Sequence, residues 1–287
     1  MSTFKRSFHL ISQLKNDTLY TKIKKDIDRG VIFPAVRNRK MCFYCGGSRP
    51  FVYDGKFSTH RKYISLLLSN KDYLSEADLI NPRISKSFVD CYEAVIDNCQ
   101  KYAGLEAQGV SHLYSKYSYA NKSNKTQGIV VLDIEVAIEN EDEDYDNKQD
   151  RIDLLLYSIE EKALKFVEAK HFTNSELWSK ENTKPEVVNQ IERYNRQIEE
   201  KSAEIIAEYG NYINIVNTLF GLQLPIPDKL LPKCGLYIFG FDRDQQTGRF
   251  KRLLRDDGSL EGIKHYDKGD PKKDVKIQTL WNYVTKE

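Results

Sequence analysis

The sequence contains no long apolar run and has few cysteines. No stretch of apolar residues is long enough to cross a bilayer, which argues against a membrane-spanning helix. The N-terminus mixes charged and polar residues with its apolar ones, so we expect no signal peptide. Five cysteines, an odd number in a chain of 287 residues, do not indicate a disulfide framework. We therefore expect a cytoplasmic protein without a membrane partner.

The cysteines also lack the spacing of a zinc site. Cys42 and Cys45 form a CxxC pair, but Cys91 and Cys99 are eight residues apart on a predicted helix. That spacing is about two helical turns, too far for both thiols to reach one ion easily. We expect Cys42 and Cys45 to carry no metal and Cys234 to lie in the core.

Charge is distributed unevenly along the chain, although the formal net charge is only +2. Residues 1–72 contain 15 Lys/Arg and 5 Asp/Glu, whereas residues 133–161 contain 2 Lys/Arg and 12 Asp/Glu. A basic region and an acidic region in one chain are typical of a protein that grips a polyanion and holds cations. Two solvated faces of opposite charge would give the same counts.

Three short segments are predicted to be strands because they are apolar and rich in β-branched or aromatic residues: Ile129–Ile138, Arg151–Leu156 and Leu164–Lys170. Polar residues 158–162 would join the last two as a hairpin. Period-two alternation places Asp133 and Glu135 on one face of the first strand, and Glu168 beside Lys170 on the third.

The hairpin therefore concentrates acid and base at one end of a sheet. Asp153 lies on one strand and Glu168 on its partner, two residues before Lys170. Carboxylate oxygens suit a hard divalent ion such as Mg²⁺ or Mn²⁺. A lysine beside them can bind a phosphate or help to activate water. A solvated charged hairpin is the alternative for this pattern.

These residues resemble the motifs of the PD-(D/E)xK nuclease superfamily. Asp153 matches its aspartate, and Glu168-Ala169-Lys170 matches its (D/E)xK sequence. Gln190-Ile191-Glu192-Arg193-Tyr194 resembles the QxxxY element of the RecB-like branch, on a predicted helix. A buried polar pair between helix and sheet is the alternative for Gln190 and Tyr194. The resemblance covers roughly residues 128–242.

The resemblance implies an α/β fold in which helices flank a mixed central sheet, a restriction-endonuclease-like core of the order αβββαβ. It implies that Asp153, Glu168 and the Ala169 carbonyl hold Mg²⁺ or Mn²⁺. Lys170 would position the nucleophile and stabilise the transition state, and Gln190 and Tyr194 would hold the lysine or the substrate backbone.

One further acid is needed to bind a second ion or to orient water. We favour Glu135 on the first strand, with Asp133 in reserve. In the superfamily that the chain resembles, this acid can instead come from the helix before the first core strand. Glu93 and Glu106 are the alternatives of that kind.

The N-terminal region is predicted to be a small basic α+β unit. Its strands would run over Val31–Arg37, Lys40–Tyr44 and Phe51–Tyr53. We assign nucleic-acid contacts to its basic residues Arg37, Arg39, Lys40, Arg61 and Lys62. Six aromatic residues would either stack on bases or form the core of this sheet: Phe43, Tyr44, Phe51, Tyr53, Phe57 and Tyr63.

Other elements follow from local patterns. We predict helices over Thr59–Leu68, Glu76–Leu79 and Ile84–Tyr102, and one from a capping box at residues 183–186 to about Tyr209. A central strand is expected at Leu236–Phe241. Residues 111–127 are polar and are predicted to be a loop that separates a nucleic-acid-binding domain, residues 1–110, from a catalytic domain, residues 111–287.

The functional prediction is a metal-dependent nuclease that hydrolyses phosphodiester bonds, with DNA favoured over RNA, in defence against foreign DNA or in repair. The first alternative is a catalytically inactive nuclease fold that binds DNA. The second is an enzyme of another class whose basic region docks a protein partner. The sequence leaves open endo or exo cleavage, sequence specificity and whether the chain forms a homodimer.

Overall fold

The computed structural model describes residues 4–64, 72–81, 84–85, 87–124, 128–138, 151–179, 184–254, 259–260, 262–273 and 275–286. The acidic run of residues 139–150, which the sequence predicts to be a loop, lies outside these ranges. Within the described residues, every helix is too short or too polar to cross a bilayer.

The first part of the chain alternates short strands and helices. In chain order its elements are α1 (Ile11–Asn16), α2 (Thr18–Asp28), β1 (Phe33–Arg37), β2 (Lys40–Cys45), β3 (Ser48–Tyr53), β4 (Phe57–His60), α3 (Arg61–Ile64), β5 (Tyr73–Ser75), α4 (Glu76–Leu79), β6 (Ile80–Asn81), β7 (Ile84–Ser85), α5 (Phe88–Cys99) and α6 (Leu105–Tyr117). A 3-10 helix, Gln100–Tyr102, joins α5 to the turn before α6. Strands β1 to β5 form one antiparallel sheet in sequence order, and β6 pairs with β7.

The second part of the chain builds a larger sheet. Its elements are β8 (Ile129–Val136), β9 (Ile152–Ser158), β10 (Ala163–His171), α7 (Glu186–Glu200), α8 (Ser202–Phe220), β11 (Lys229–Leu230), β12 (Gly235–Phe239), α9 (Arg243–Thr247), α10 (Arg249–Leu253), β13 (His265–Lys268) and α11 (Ile277–Thr285). A 3-10 helix, Ser175–Leu177, follows β10.

This sheet is mixed, with the strand order β13-β12-β10-β9-β8 and β11 paired with β10. Strands β8, β9 and β10 are antiparallel neighbours, whereas β12 runs parallel to β10 and β13 parallel to β12. Helices flank the sheet: α6 precedes its three antiparallel strands, and α7 and α8 follow them. The class, α/β with a mixed sheet, is confirmed.

The three predicted core strands are present as β8, β9 and β10. Strand β9 ends at Ser158 and β10 begins at Ala163, with left-handed backbone at Lys162 (φ 48°) closing the predicted hairpin. The predicted N-terminal strands are present as β1, β2 and β3. The two polar residues between β1 and β2 form a tight turn, in which Arg39 adopts the left-handed backbone (φ 59°) that such turns require.

Four local predictions are wrong. Residues 111–117 belong to α6, which runs from Leu105 to Tyr117, so the predicted domain boundary lies inside a helix. The helix predicted from residue 84 begins only at Phe88, where Ser87 provides the capping box. The helix predicted up to Tyr209 breaks at Lys201, which separates α7 from α8. Thr59 and His60 belong to β4, so that helix begins at Arg61; residues 65–68 lie outside the description.

The predicted capping box before α7 does not take the expected form. Pro185 is the N-cap, and among the described residues no side chain caps the helix. Thr183, the cap that the sequence suggested, lies outside the described residues. The first turn begins with Glu186, whose carboxylate accepts from Arg193 at 3.1 Å and from Asn189 at 3.2 Å.

Candidate functional site

The two central carboxylates meet where β9 pairs with β10. The antiparallel register pairs Val167 with Leu154, so the next residues along, Glu168 and Asp153, are opposite each other. The Ala169 N–H donates to Asp153 Oδ2 at 2.8 Å, which fixes that carboxylate against the neighbouring strand. Glu168 is 1% exposed. The strand pairing therefore brings together a buried acid, Glu168, and a partly buried one, Asp153.

Burial and the charges of neighbouring carboxylates make both acids hard to ionise. Burial, and then the charge of Glu168, raises the pKa of Asp153 well above its ordinary value. Burial raises the pKa of Glu168 to about 7, although Lys170 opposes the shift. A nearby cation would favour the ionised forms of both acids.

Lys170 is held between two carboxylates. Its Nζ lies 2.9 Å from Glu168 Oε1 and 2.7 Å from Glu176 Oε2. Burial alone would lower the pKa of Lys170, but the charge of Glu168 and the hydrogen bond to Glu176 raise it above its ordinary value. Lys170 is therefore an ammonium group at neutral pH.

Glu176 was missed by the sequence analysis. It lies in the 3-10 helix after β10, and its side chain is 41% exposed whereas that of Lys170 is only 5% exposed. No periodic pattern marks it, because a single 3-10 turn carries no repeating signal. Asn174 fixes this turn, since its Oδ1 accepts from the Glu176 N–H at 2.8 Å.

Glu106, one of the two helix alternatives, lies beside the pair. It is in the first turn of α6, and its Oε1 accepts from the His171 N–H at 3.1 Å and from Asn174 Nδ2 at 2.6 Å. Its charge contributes to the raised pKa of Asp153 and of Glu168. The other alternative, Glu93, is exposed on α5. The structure thus places Glu106 at the site.

The two favoured strand acids differ in position. The register pairs Ile134 with Leu154 and Val136 with Ile152, so the backbone of Glu135 lies opposite that of Asp153 on the neighbouring strand. A β-bulge between Val131 and Asp133 and left-handed backbone at Glu135 (φ 47°) interrupt the regular alternation of β8. The Glu135 carboxylate is 4.0 Å from Arg151 Nη1, and its charge raises the pKa of Tyr44 and of Tyr114, after the larger effect of burial. Asp133 is 0% exposed and is bonded to two arginines. Because the two arginines already use its carboxylate, Asp133 does not serve as the reserve metal ligand that the sequence suggested.

Gln190 and Tyr194 share a face of α7, as predicted, and bind each other. Gln190 Nε2 donates to the Tyr194 hydroxyl at 2.8 Å, which donates to the Arg151 carbonyl at 3.1 Å. Arg151 is two residues before Asp153, so the pair fastens α7 to the start of the strand that carries this acid. Gln190 Oε1 is buried and has no hydrogen-bond partner among the described residues.

A divalent ion fits the donors that these residues offer. Glu168 Oε2 is buried without a hydrogen-bond partner in the described part of the chain, beside a second carboxylate. Within the same residues, no group of three or more His, Cys, Asp or Glu side chains has the geometry of a metal cage. Mg²⁺ is commonly held by one or two carboxylates, with water and substrate phosphate as its other ligands. Asp153 and Glu168 match that pattern, with the Ala169 carbonyl as the further ligand predicted from the sequence.

The predicted nucleic-acid residues divide into two groups. Arg37 is buried, and its Nη1 lies 2.7 Å from Asp133 Oδ1. Arg37 therefore does not contact nucleic acid, contrary to the prediction. Arg39 is exposed, Lys40 and Lys62 are half-buried, and Arg61 lies 3.2 Å from Asp72 at the surface. The six interleaved aromatic residues are all at most 4% exposed, so they form the core of the first sheet. Base stacking by those six rings is excluded.

The five cysteines are free thiols and all are buried. Cys42 and Cys45 lie on β2, and a hydrogen bond between Cys45 and Cys99 together with burial raises the pKa of the Cys99 thiol. Cys234 is 3% exposed at the start of β12, in the core as predicted.

Comparison with known proteins assigns no family to the chain. No protein-family model matches it, and neither a curated protein nor a solved structure matches it significantly. The function is therefore inferred from the geometry of the site.

Proposed function

We propose that the protein is a metal-dependent nuclease that hydrolyses phosphodiester bonds of nucleic acid, with DNA preferred to RNA. The observation that carries the proposal is the Asp153–Glu168 pair. Glu168 Oε2 is buried without a hydrogen-bond partner among the residues that the structure describes, while Oε1 contacts Lys170. Two acids and an ammonium group at the end of paired strands also agree with the resemblance to PD-(D/E)xK nucleases and their restriction-endonuclease-like core.

Asp153 and Glu168 would hold Mg²⁺ or Mn²⁺, which when bound lowers the pKa of water and neutralises charge on a phosphate. Glu106 would add a third carboxylate, as the alternative to Glu135 for the further acid. Asn174 and the His171 N–H hold its Oε1 in position.

Lys170 would stabilise the negative charge that develops on the phosphate, because its raised pKa keeps it protonated. An ammonium group cannot accept a proton, so Lys170 is not the base. Gln190 and Tyr194 act as positioning residues, since they bind each other and the Arg151 carbonyl rather than Lys170.

The basic N-terminal region supports a polyanionic substrate. Residues 1–72 contain 15 Lys/Arg against 5 Asp/Glu, and Arg39 and Arg61 keep their side chains at the surface. Such a surface supplies phosphate contacts that do not depend on sequence. A role in defence against foreign DNA or in repair is part of the proposal.

The test is digestion of labelled single- and double-stranded DNA and RNA with Mg²⁺, with Mn²⁺ or in EDTA. We expect cleavage with either metal, none in EDTA and none by Asp153→Asn. Glu160→Gln is the matched control because Glu160 is exposed on the same hairpin. It should cut like the wild type.

Cleavage by Asp153→Asn at the wild-type rate, or full cleavage in EDTA, would overturn the proposal. Binding to the panel without cutting any member would favour the alternative, an inactive nuclease fold that binds DNA.

A further inference from the structure

Two tyrosines of the basic region expose their rings, unlike the six aromatic residues in its core. Tyr73 on β5 is 44% exposed, and Tyr102 at the end of the first 3-10 helix is 49% exposed. Exposed aromatic rings of this size are free to contact a flat ligand on one face. Other rings connect the two tyrosines.

A continuous series of ring contacts joins Tyr73 to Tyr102. Tyr73 contacts His60 with a centroid distance of 5.2 Å, His60 contacts Tyr63 at 6.2 Å, and Tyr63 contacts Tyr102 at 5.9 Å. Tyr63 is only 3% exposed and forms the floor of the group. We call these four residues the tyrosine platform.

Basic side chains border the tyrosine platform. Lys62 Nζ lies 5.0 Å from the ring centre of Tyr63 and 5.9 Å from that of Tyr102. Arg49 Nη2 donates to the Tyr73 hydroxyl at 3.4 Å. Aromatic rings beside lysine and arginine combine a surface for bases with charges for phosphates. A small acidic ligand would use only the basic side chains, and a purely apolar ligand would use only the rings.

The tyrosine platform is close to the acidic site. Tyr102 precedes Glu106 by four residues, which limits the distance between their Cα atoms to about 14 Å. Glu106 in turn accepts from the His171 N–H, next to Lys170. A few nucleotides can bridge from the rings to the carboxylates.

We infer that the tyrosine platform stacks unpaired bases, so that single-stranded nucleic acid, or a single-stranded end, is the substrate class of the site; the inference rests on the proposed nuclease function. A duplex hides the faces of its bases, whereas an unpaired strand presents them to exposed rings. Tyr102 is the principal stacking residue because it is the more exposed of the two tyrosines and lies only four residues before Glu106.

The test measures binding, not cleavage. Wild-type protein in EDTA is titrated into three labelled probes of equal length: a single strand, a duplex and a single strand of abasic nucleotides. Tyr102→Ala should weaken binding of the ordinary single strand by roughly 5- to 150-fold, the loss expected for one stacked base. Binding of the duplex and of the abasic strand should change less than twofold, on the order of measurement error, because neither presents a base for stacking.

Two further variants separate stacking from other effects. Tyr102→Phe keeps the ring and should bind like the wild type. Tyr283→Ala removes a tyrosine of similar exposure, 56% exposed on α11, and should also bind like the wild type. Thermal unfolding of each variant checks that the fold is intact.

Equal weakening on all three probes, or a Tyr102→Ala protein that matches Tyr283→Ala, would overturn the inference. No binding to any probe would overturn it too and would favour a protein partner for these rings. If single strands bind through Tyr102 but nothing is cut, the stacking site stands and the nuclease proposal fails. If cleavage occurs but Tyr102→Ala changes no affinity, the nuclease proposal stands and the stacking site fails.

Discussion

Asp133 and Asp153 lie on neighbouring strands of one sheet, yet their surroundings differ. Asp133 Oδ1 accepts from Arg37 Nη1 at 2.7 Å and from the Ile134 N–H at 2.8 Å. Its Oδ2 accepts from the Tyr209 hydroxyl at 2.8 Å and from Arg6 Nε at 3.2 Å. Two cations thus compensate one buried acid, and both of its oxygens are fully used.

The cluster around Asp153 has the opposite balance. Asp153, Glu168, Glu106 and Glu176 surround Lys170, and one oxygen of Glu168 has no hydrogen-bond partner among the described residues. Burial first, and then the charge of the neighbouring carboxylates, raise the pKa of both central acids. A cluster that only stabilised the fold would gain from complete pairing, as at Asp133. The incomplete pairing suits a site that receives a cation.

The largest expected effect is on stability, at the fully paired cluster. Asp133→Ala leaves Arg6 and Arg37 buried without their shared counterion, and we expect a loss of about 3–5 kcal/mol in the free energy of unfolding. Urea denaturation measures it. Asp228→Ala, which removes a surface ion pair with Lys162, is the control and should cost at most about 1 kcal/mol. If Asp133→Ala lowered the free energy of unfolding by less than about 1 kcal/mol, the Asp133 cluster would not differ from a surface ion pair, and the contrast with the Asp153 cluster would be lost.

Whereas Asp133→Ala should destabilise the protein, Asp153→Asn should stabilise the metal-free protein at pH 8. The pKa of Asp153 is raised on folding, so its contribution to stability is present at low pH and is lost as the pH rises through the folded value. A neutral side chain avoids that loss, so we expect the free energy of unfolding to rise by about 1 kcal/mol. Near pH 4 the gain should vanish, because the folded wild type is then protonated. Urea denaturation in EDTA at both pH values measures it, and destabilisation at pH 8 would contradict the account.

The smallest expected effect is a change in the salt dependence of binding, tested on two neighbouring arginines of the basic region, Arg37 and Arg39. Arg39→Ala should leave stability unchanged and flatten the dependence of log K on log salt, by about 0.9 for one lost phosphate contact on duplex DNA. Arg37→Ala should instead destabilise the fold, because Arg37 belongs to the Asp133 cluster. Binding measured at several salt concentrations, with unfolding measured in parallel, separates them. An unchanged slope for Arg39→Ala would return Arg39 to a solvated surface.

Local patterns in the sequence predicted the strands that carry the site. Alternation and hairpin signals place β9 and β10, and the resemblance singled out Asp153, Glu168 and Lys170, which the structure brings together. The position of Gln190 against Tyr194 also follows from helical spacing. These features depend on contacts between nearby residues or adjacent strands.

Long-range contacts could not be predicted in the same way. Arg37 looks like an exposed basic residue until Asp133, 96 positions away, is placed beside it. Glu106 reaches the site because α6 packs closely on the sheet: a Cβ at Gly109 would come within 2.1 Å of the Phe239 ring. The left-handed backbone at Glu135 and the bulge in β8 change where side chains point without a sequence signal that we could recognise.

The most direct test of the metal site is calorimetric titration of Mn²⁺ into the metal-free protein at pH 6 and pH 8. We expect binding by the wild type and by Glu160→Gln, and none by Asp153→Asn. Affinity should be higher at pH 8, because Glu168, with a pKa of about 7, must lose its proton to become a ligand. Absence of binding by the wild type at pH 8, or equal binding by Asp153→Asn, would contradict the claim that these two acids hold a divalent ion.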